Sequence, residues 1–356
     1  MITSFIHRAV MQGIPLLFGS TGEIITEKSG NLNLGIPGIM YVGGISGVIG
    51  AFLYEQSLDT PQDANAFFAI IIPLLSCMIG SLLMGLIYSF LTTTLRANQN
   101  VTGLALTTFG VGFGNFFGGS LIKLTESEMP SITLSTTSKF FSKTLPIDDI
   151  VNSIFNFLCQ TFPSIAEHTE NYLWIKNGLL GFGEIFLSYS FLAYSAIVIA
   201  LLASFTLKRT RTGLQLRAVG ENPATADAAG INVNRYKYLA TCIGSVIAGL
   251  GGLYYVMDYA NGIWSNDAFG DRGWLAIALV IFAVWKPNLS IIGSILFGGL
   301  FIVHNYIPNL SVNTQEIFKM LPYVVTIIVL VVVSLRKKRE NQNPASLGLS
   351  YFREER

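Results

Sequence analysis

Long stretches of this chain carry no charged residue at all, among them 29–54, 64–95, 97–122, 185–207 and 238–257. A helix that crosses the hydrocarbon core of a bilayer needs about 20 mostly apolar residues in a row. Runs of this length and character are membrane spans, not the core helices of a soluble domain. Composition agrees: only 12 % of residues are charged, against about 25 % in a typical soluble domain. The sequence therefore predicts an all-α, polytopic membrane protein forming one transmembrane domain over residues 1–356.

The hydropathy pattern predicts about nine spans, at 9–26, 31–54, 66–95, 100–122, 186–207, 238–257, 272–285, 288–307 and 317–335. The seventh is short, and is tilted, broken or merged with the eighth. Lys and Arg set the orientation, because they are retained on the cytoplasmic side. The RKKR block at 336–339 and the KRTRTGLQLR block at 208–217 are both strongly basic. Four spans separate them, an even number, so both can be cytoplasmic. This places the loop 208–237 and the tail 336–356 inside and the N-terminus outside. It also leaves 123–185 as an extracytoplasmic insertion. That insertion is polar, with Lys139, Lys143, Asp148, Asp149, Glu167 and Glu170, and carries an aromatic-apolar patch, IFNFL, at 154–158. It is either a surface decoration or a docking surface for an extracytoplasmic partner. Close helix packing is expected at Gly110, Gly114 and Gly118 and at Gly43 and Gly47, whose four-residue spacing lets helix backbones approach.

Several chemistries are excluded. Cys77, Cys159 and Cys242 form no CxxC, and His7, His168 and His304 are scattered, so neither a metal site nor a disulfide framework is expected. The stretch GEIITEKSG (22–30) is one letter from the phosphate-binding pattern G-x-x-x-x-G-K-[ST]. Glu27 stands where the second Gly belongs, and Ile24, Ile25 and Thr26 are β-branched. Such a loop cannot curl its amides around phosphates, which glycines permit. The likeness is accidental.

Three features remain as functional candidates. Glu23 lies within an apolar span, where a carboxylate costs about 2.5–3.5 kcal/mol on insertion scales. It either faces a cavity or pairs with Lys28 near the interface. Next, SGNLNLGIPG (29–38) interrupts the apolar pattern with Asn31, Asn33, Gly35 and Pro37. A broken helix at membrane depth is tolerated only where protein or a watery cavity satisfies its backbone, and such breaks build substrate sites in transporters. Asn31 and Asn33 either cap the next helix or meet a polar solute. Third, RAVGENPATADAAGINVNRYKY (217–238) reads as a short capped helix: Asn222 as N-cap, Pro223 at the first helical position, Gly230 after the end. It is either an ordinary loop or a small-faced plug for a groove on another protein.

Four segments, GEIITEKSGNLNLGIPGIM (22–40), RANQNVTGLAL (96–106), GLQLRAVGENPATADAAGINVNRYKYLA (213–240) and RGWLAIALVIFAVWKPNLSIIGSILFG (272–298), resemble the permease subunits of bacterial ABC importers of the branched-chain amino acid, ribose and nucleoside group. The likeness is greatest to nucleoside and simple-sugar permeases that work with basic-membrane-protein-type lipoproteins. The resemblance implies a vitamin B12-importer-like (type II) permease fold in the cytoplasmic (inner) membrane, embedded among lipids. It implies a second permease chain, identical or paralogous, an extracytoplasmic solute-binding lipoprotein, and ATP-binding cassette subunits. ATP and magnesium would bind those subunits, with no cofactor on this chain and no nucleic-acid partner. Arg217, Gly220, Glu221, Asn222, Pro223, Ala228, Ala229 and Gly230 would form the ATPase-coupling element. Glu23, Asn31, Asn33, Gly35, Pro37, Asn98 and Gln99 would line the substrate pathway. Transport by alternating access of a nucleoside, or next a simple sugar, is the expected function. An ion-coupled secondary transporter is the alternative. One departure stands out: the family often has a Glu where this chain has Pro37, so a charge is lost and a kink is expected.

Overall fold

The computed structural model describes residues 2–124, 131–144, 146, 149, 151–155, 157, 169–308, 311–336 and 342–352. The N-terminal half contributes α1 (Ile2–Glu27), α2 (Ile36–Gln56), α3 (Ala66–Ser89) and α4 (Gln99–Leu124). Next come the short α5 (Ser135–Phe141), then α6 (Thr169–Phe186) and α7 (Phe191–Arg209). The basic loop forms α8 (Arg211–Glu221) and α9 (Pro223–Ala228), and leads into α10 (Val233–Tyr254). The chain ends with α11 (Arg272–Phe282), α12 (Pro287–Ile302), α13 (Val312–Lys319) and α14 (Leu321–Arg336).

Among the described residues, seven helical stretches are long and apolar enough to cross a membrane: Ile36–Gln56, Ala66–Thr94, Gln99–Leu124, Phe191–Arg209, Val233–Tyr259, Pro287–Tyr306 and Asn313–Val332. The other two expected spans are α1 and α11, and each departs for a physical reason. With 26 residues α1 is long enough, but it carries Gln12, Glu23 and Glu27, all buried. It is surrounded by α7, α10, α11 and α12, and a helix wrapped in other helices needs no lipid-facing apolarity. In contrast α11 has 11 residues and reaches about 16 Å, half a bilayer. It ends in a turn where Val284 and Trp285 both have φ 53°, before Pro287 starts α12. The seventh span is thus a separate half-helix, not a continuation of the eighth. Such left-handed residues cost about 1–2 kcal/mol each. The turn is held by Trp285 N–H donating to Val280 O (3.2 Å) and Lys286 N–H to Ala283 O (3.0 Å).

The centre of the bundle is α1, α2 and α10. Most of α2 and α10 is buried, whereas α3 and α4 are only one-third buried and α14 less. The outward faces of the peripheral helices carry exposed Phe67, Leu83, Phe109, Leu202, Phe205 and Ile327. This is the surface a bilayer covers. Glycines make the central crossings possible. A Cβ on Gly22 or Gly244 would overlap the other residue's carbonyl across α1 and α10. The expected four-residue glycine rows do pack: Gly110 against Gly38, Gly114 and Gly118 beneath Tyr41 and Trp264, Gly43 against Gly249 and Gly47 against Leu253.

The 123–185 segment is tied to the bundle where it is described. Strand β1 (Ser131–Thr133) pairs antiparallel with β2 (Ile263–Ser265), with Ile132 opposite Trp264. Thr137 N–H also donates to Glu55 Oε1 at 2.6 Å. Asp148 and Glu167, and Asn156 and Leu158 of the aromatic-apolar patch, lie outside the described residues. So do Lys337, Lys338 and Arg339 of the basic tail.

The candidate functional site: a broken segment beneath a capped helix

Between α1 and α2 the chain leaves the helix from Lys28 to Gly35, so the second span begins at Ile36 rather than 31. The break is inside protein, and most of its backbone N–H groups find a partner, as buried backbone outside a helix requires. Lys28, Ser29 and Gly30 N–H turn back to Ile24, Thr26 and Glu27 carbonyls at 2.9–3.0 Å. Leu32 N–H donates to Gln99 Oε1 (2.7 Å) and Asn33 N–H to Glu23 Oε1 (3.0 Å). Gly35 N–H donates to Asn33 Oδ1 at 2.9 Å. The carbonyl of Leu32 accepts from the Tyr88 hydroxyl, and that of Leu34 from Thr107 Oγ1 at 2.7 Å. Side chains from α1, α3 and α4 thus replace the missing helix ladder.

Glu23 is therefore not an interface carboxylate reaching Lys28. It is 1 % exposed and holds the far side of the break. Neither Asn31 nor Asn33 caps α2, whose N-cap is Gly35 without a side-chain bond. The Asn31 amide donates to Thr241 Oγ1 (3.2 Å) and Thr93 Oγ1 (3.5 Å), joining α10 to the end of α3. Glu23 Oε2, Asn31 Oδ1 and Asn33 Nδ2 are buried without a partner, an unusual concentration, since buried polar atoms are nearly always paired. Glu27, one turn from Glu23, accepts from the Trp285 indole N–H. Gln99 is buried on the break, but Asn98 is exposed and its Oδ1 accepts from Val101 N–H at 3.1 Å, a local cap for α4. Pro37 produces no kink. It sits in the first turn of α2, where its missing N–H costs nothing, and its ring fills the space above Gly273 of α11.

The short helix forms as its caps dictate. Asn222 Oδ1 accepts from Thr225 N–H at 3.0 Å, Pro223 opens α9, and Gly230 follows it with φ +82°. No atom lies within 4 Å of a Cβ at Gly230, so its glycine serves the left-handed backbone alone. Arg217, Glu221, Asn222, Ala228, Ala229 and Gly230 are exposed and Pro223 half-buried. Gly220 is different. It is buried, and a Cβ there would overlap the carbonyl of Lys28. The end of α8 thus rests directly on the broken segment. Lys28 lies between them: burial pushes its pKa down, and the Glu221 carboxylate opposes that.

A third element has no counterpart in the sequence reading. The described part of the tail, 342–352, lies as a strap across both features. Ser346 N–H donates to Gly220 O (3.0 Å) and Gly348 N–H to Gly30 O (3.2 Å). Gln99 Nε2 donates to Leu349 O at 3.4 Å. The Tyr351 hydroxyl donates to Asp227 Oδ2 at 2.8 Å, and Phe352 lies under the Arg96 guanidinium at 4.6 Å. The usable signal was Leu347, Leu349, Tyr351 and Phe352 in a tail that is otherwise polar.

Residues 5–330 match the family described as branched-chain amino acid transport system, permease component. A nucleoside ABC transporter permease protein of Lactococcus lactis subsp. cremoris is 31 % identical, over 89 % of this chain and 87 % of its own length. A protein of Haloferax volcanii named for glucose ABC transport as a permease is 28 % identical, over 98 % and 97 %. A guanosine ABC transporter permease protein of Bacillus subtilis is 25 % identical, over 93 % and 92 %. No solved structure matches the chain. The family and these relatives are permease components, which are transport subunits rather than enzymes. The chain belongs to the permease-component family of the branched-chain amino acid transport system, and is a multi-pass permease subunit of an ATP-driven importer.

Proposed function

We propose that this chain imports a nucleoside, or next a simple sugar, as one of two paired permease chains in the cytoplasmic membrane. The N-terminus then faces outward and the basic loop and tail inward, with lipid covering the exposed apolar faces. The fold is of the vitamin B12-importer type. A lipoprotein delivers solute from outside, and separate ATP-binding cassette subunits hold ATP and magnesium. The exposed surface of α9, flanked by Arg217 and Glu221, docks in the ATPase, and Glu23, Asn31, Asn33, Gly35, Pro37 and Gln99 border the path. The observation that carries this reading is the contact between α8 and the broken segment. Gly220 rests on Lys28, and Ser346 reaches both Gly220 and the space over Gly30. A displacement of α9 therefore acts on the residues beside Asn31 without passing through a flexible loop. Relatives named for nucleoside and glucose transport support the solute classes.

The test is copurification from mild detergent, followed by uptake. The native chain should bring down an ATP-binding cassette subunit. A chain with 221–230 replaced by a Gly/Ser linker should not. Ala228→Trp, on the exposed face, should lose the ATPase while keeping the native melting temperature. Retained ATPase and coupled uptake in Ala228→Trp would overturn the docking role of α9.

A further inference from the structure

At the opposite end of the bundle from α9, a polar cavity of about 150 Å³ opens between α1, the start of α7, the end of α10 and the segment after α5. Its walls include His7, Tyr189, Ser190, Tyr254, Asp258 and Asn261. None of these belongs to the broken segment or the capped helix. On the orientation proposed above, the cavity faces the extracytoplasmic side.

The cavity is built, not a gap between loops. The His7 and Tyr189 rings stack at 4.9 Å and 10°, and Ser188 Oγ fixes the imidazole through Nδ1 at 2.9 Å. The Ser190 hydroxyl caps α7 and donates to Asp258. Asp258 is 6 % exposed, carried on the one wide turn that extends α10. Two walls are unfinished. Tyr189 and Tyr254 are 8 % and 0 % exposed, and the hydroxyl of each is buried without a partner. A phenol left unpaired in protein is costly, and a Phe at either position would avoid that cost.

We propose that this cavity is a solute site that receives one neutral, hydroxyl-rich ring, such as the pentose of a nucleoside or a single hexose. The reading rests on the importer function proposed above and names where that importer first holds its solute. Two free phenols, a carboxylate and the exposed Asn261 supply donors and acceptors at several angles, which suits vicinal hydroxyls. The stacked ring pair adds a flat apolar wall, as small-molecule sites commonly do. The volume equals that of about five water molecules at ~30 Å³ each. That suits one sugar ring, and is well below the ~300 Å³ where sites for larger ligands begin. Asp258 puts a carboxylate in the cavity wall, which repels a phosphate dianion held beside it, so phosphorylated sugars and nucleotides are disfavoured.

The experiment uses the full chain in lipid nanodiscs, with D-ribose, uridine, D-glucose and uridine 5′-monophosphate as probes. Binding is read by calorimetry and by the shift in melting temperature. D-ribose and uridine or D-glucose should bind, and the monophosphate should not. Tyr189→Phe and Tyr254→Phe should raise the melting temperature of the free protein and weaken binding about fivefold, as expected for losing one hydrogen bond. A purely structural tyrosine cannot produce that opposed pair of changes. Asp258→Asn should weaken binding about tenfold, in line with a charged partner. Should Asp258→Asn fail to fold, the two Phe variants decide alone. The site is overturned if no neutral probe saturates, if the monophosphate binds equally, or if both Phe variants bind as the parent does. ATPase copurification is scored on the same preparations. Copurification kept while the binding predictions fail overturns the cavity and spares the importer reading; copurification lost in the parent chain overturns the importer reading itself.

Discussion

Replacing Gln99 by Leu tests whether side chains hold the broken segment in place. Gln99 is 2 % exposed at the start of α4. Its Oε1 accepts from Leu32 N–H at 2.7 Å, and its Nε2 donates to Leu349 O at 3.4 Å. Leu nearly conserves the volume and removes both bonds. The first loss leaves the amide of half-buried Leu32 without this partner, at about 1–3 kcal/mol. The second bond is long and contributes roughly 0.5 kcal/mol at most. A net of about 2 kcal/mol raises the open population of the break about 30-fold, since ~1.4 kcal/mol is tenfold. Amide hydrogen exchange reads this population directly where opening is local. The peptide covering 28–35 should exchange about 30 times faster in Gln99→Leu, with peptides from α10 unchanged. Gln99→Glu keeps the acceptor for Leu32 and should accelerate exchange far less. Equal exchange in Gln99→Leu and the parent would refute the account, because the amide would then have another partner.

Two further predictions concern packing. Gly244→Ala should lower the melting temperature in detergent by the equivalent of about 1–3 kcal/mol, because the added methyl meets the Gly22 carbonyl and Thr26. Gly112→Ala, where nothing lies within 4 Å, should leave it unchanged or raise it. In the strap, Tyr351→Phe removes the bond to Asp227. It should accelerate exchange in 344–352 about tenfold, the effect of ~1.4 kcal/mol, and leave peptides of α1 and α2 as they were.

Much of this architecture was legible because it depends on neighbours in sequence. The charge-free runs at 64–95 and 97–122 became α3 and α4, since lipid-facing helices must be apolar whatever else surrounds them. The caps Asn222 and Gly230 worked as read, because a cap is settled within four residues. The break at 28–35 was visible in its asparagines, glycines and proline. Its boundary was not: the sequence pattern extended the second span to 31, and Asn31 and Asn33 read equally as caps or as contacts for a polar solute.

What required the tertiary structure were the long-range partners. Glu23 could have reached Lys28, five residues on, but instead accepts from Asn33, because the break folds back over α1. Pro37 kinks nothing, because the helix begins just before it. Gln99 serves Leu32 across 67 positions of chain, and the tail crosses more than 120 positions to reach Asp227. No local pattern encodes such contacts. A sequence determines by itself whatever is decided between a segment and its solvent, here bilayer or water, and between residues one helical turn apart. Which polar group satisfies a buried amide is decided only when distant helices pack, because burial creates the demand for a partner and packing selects who supplies it.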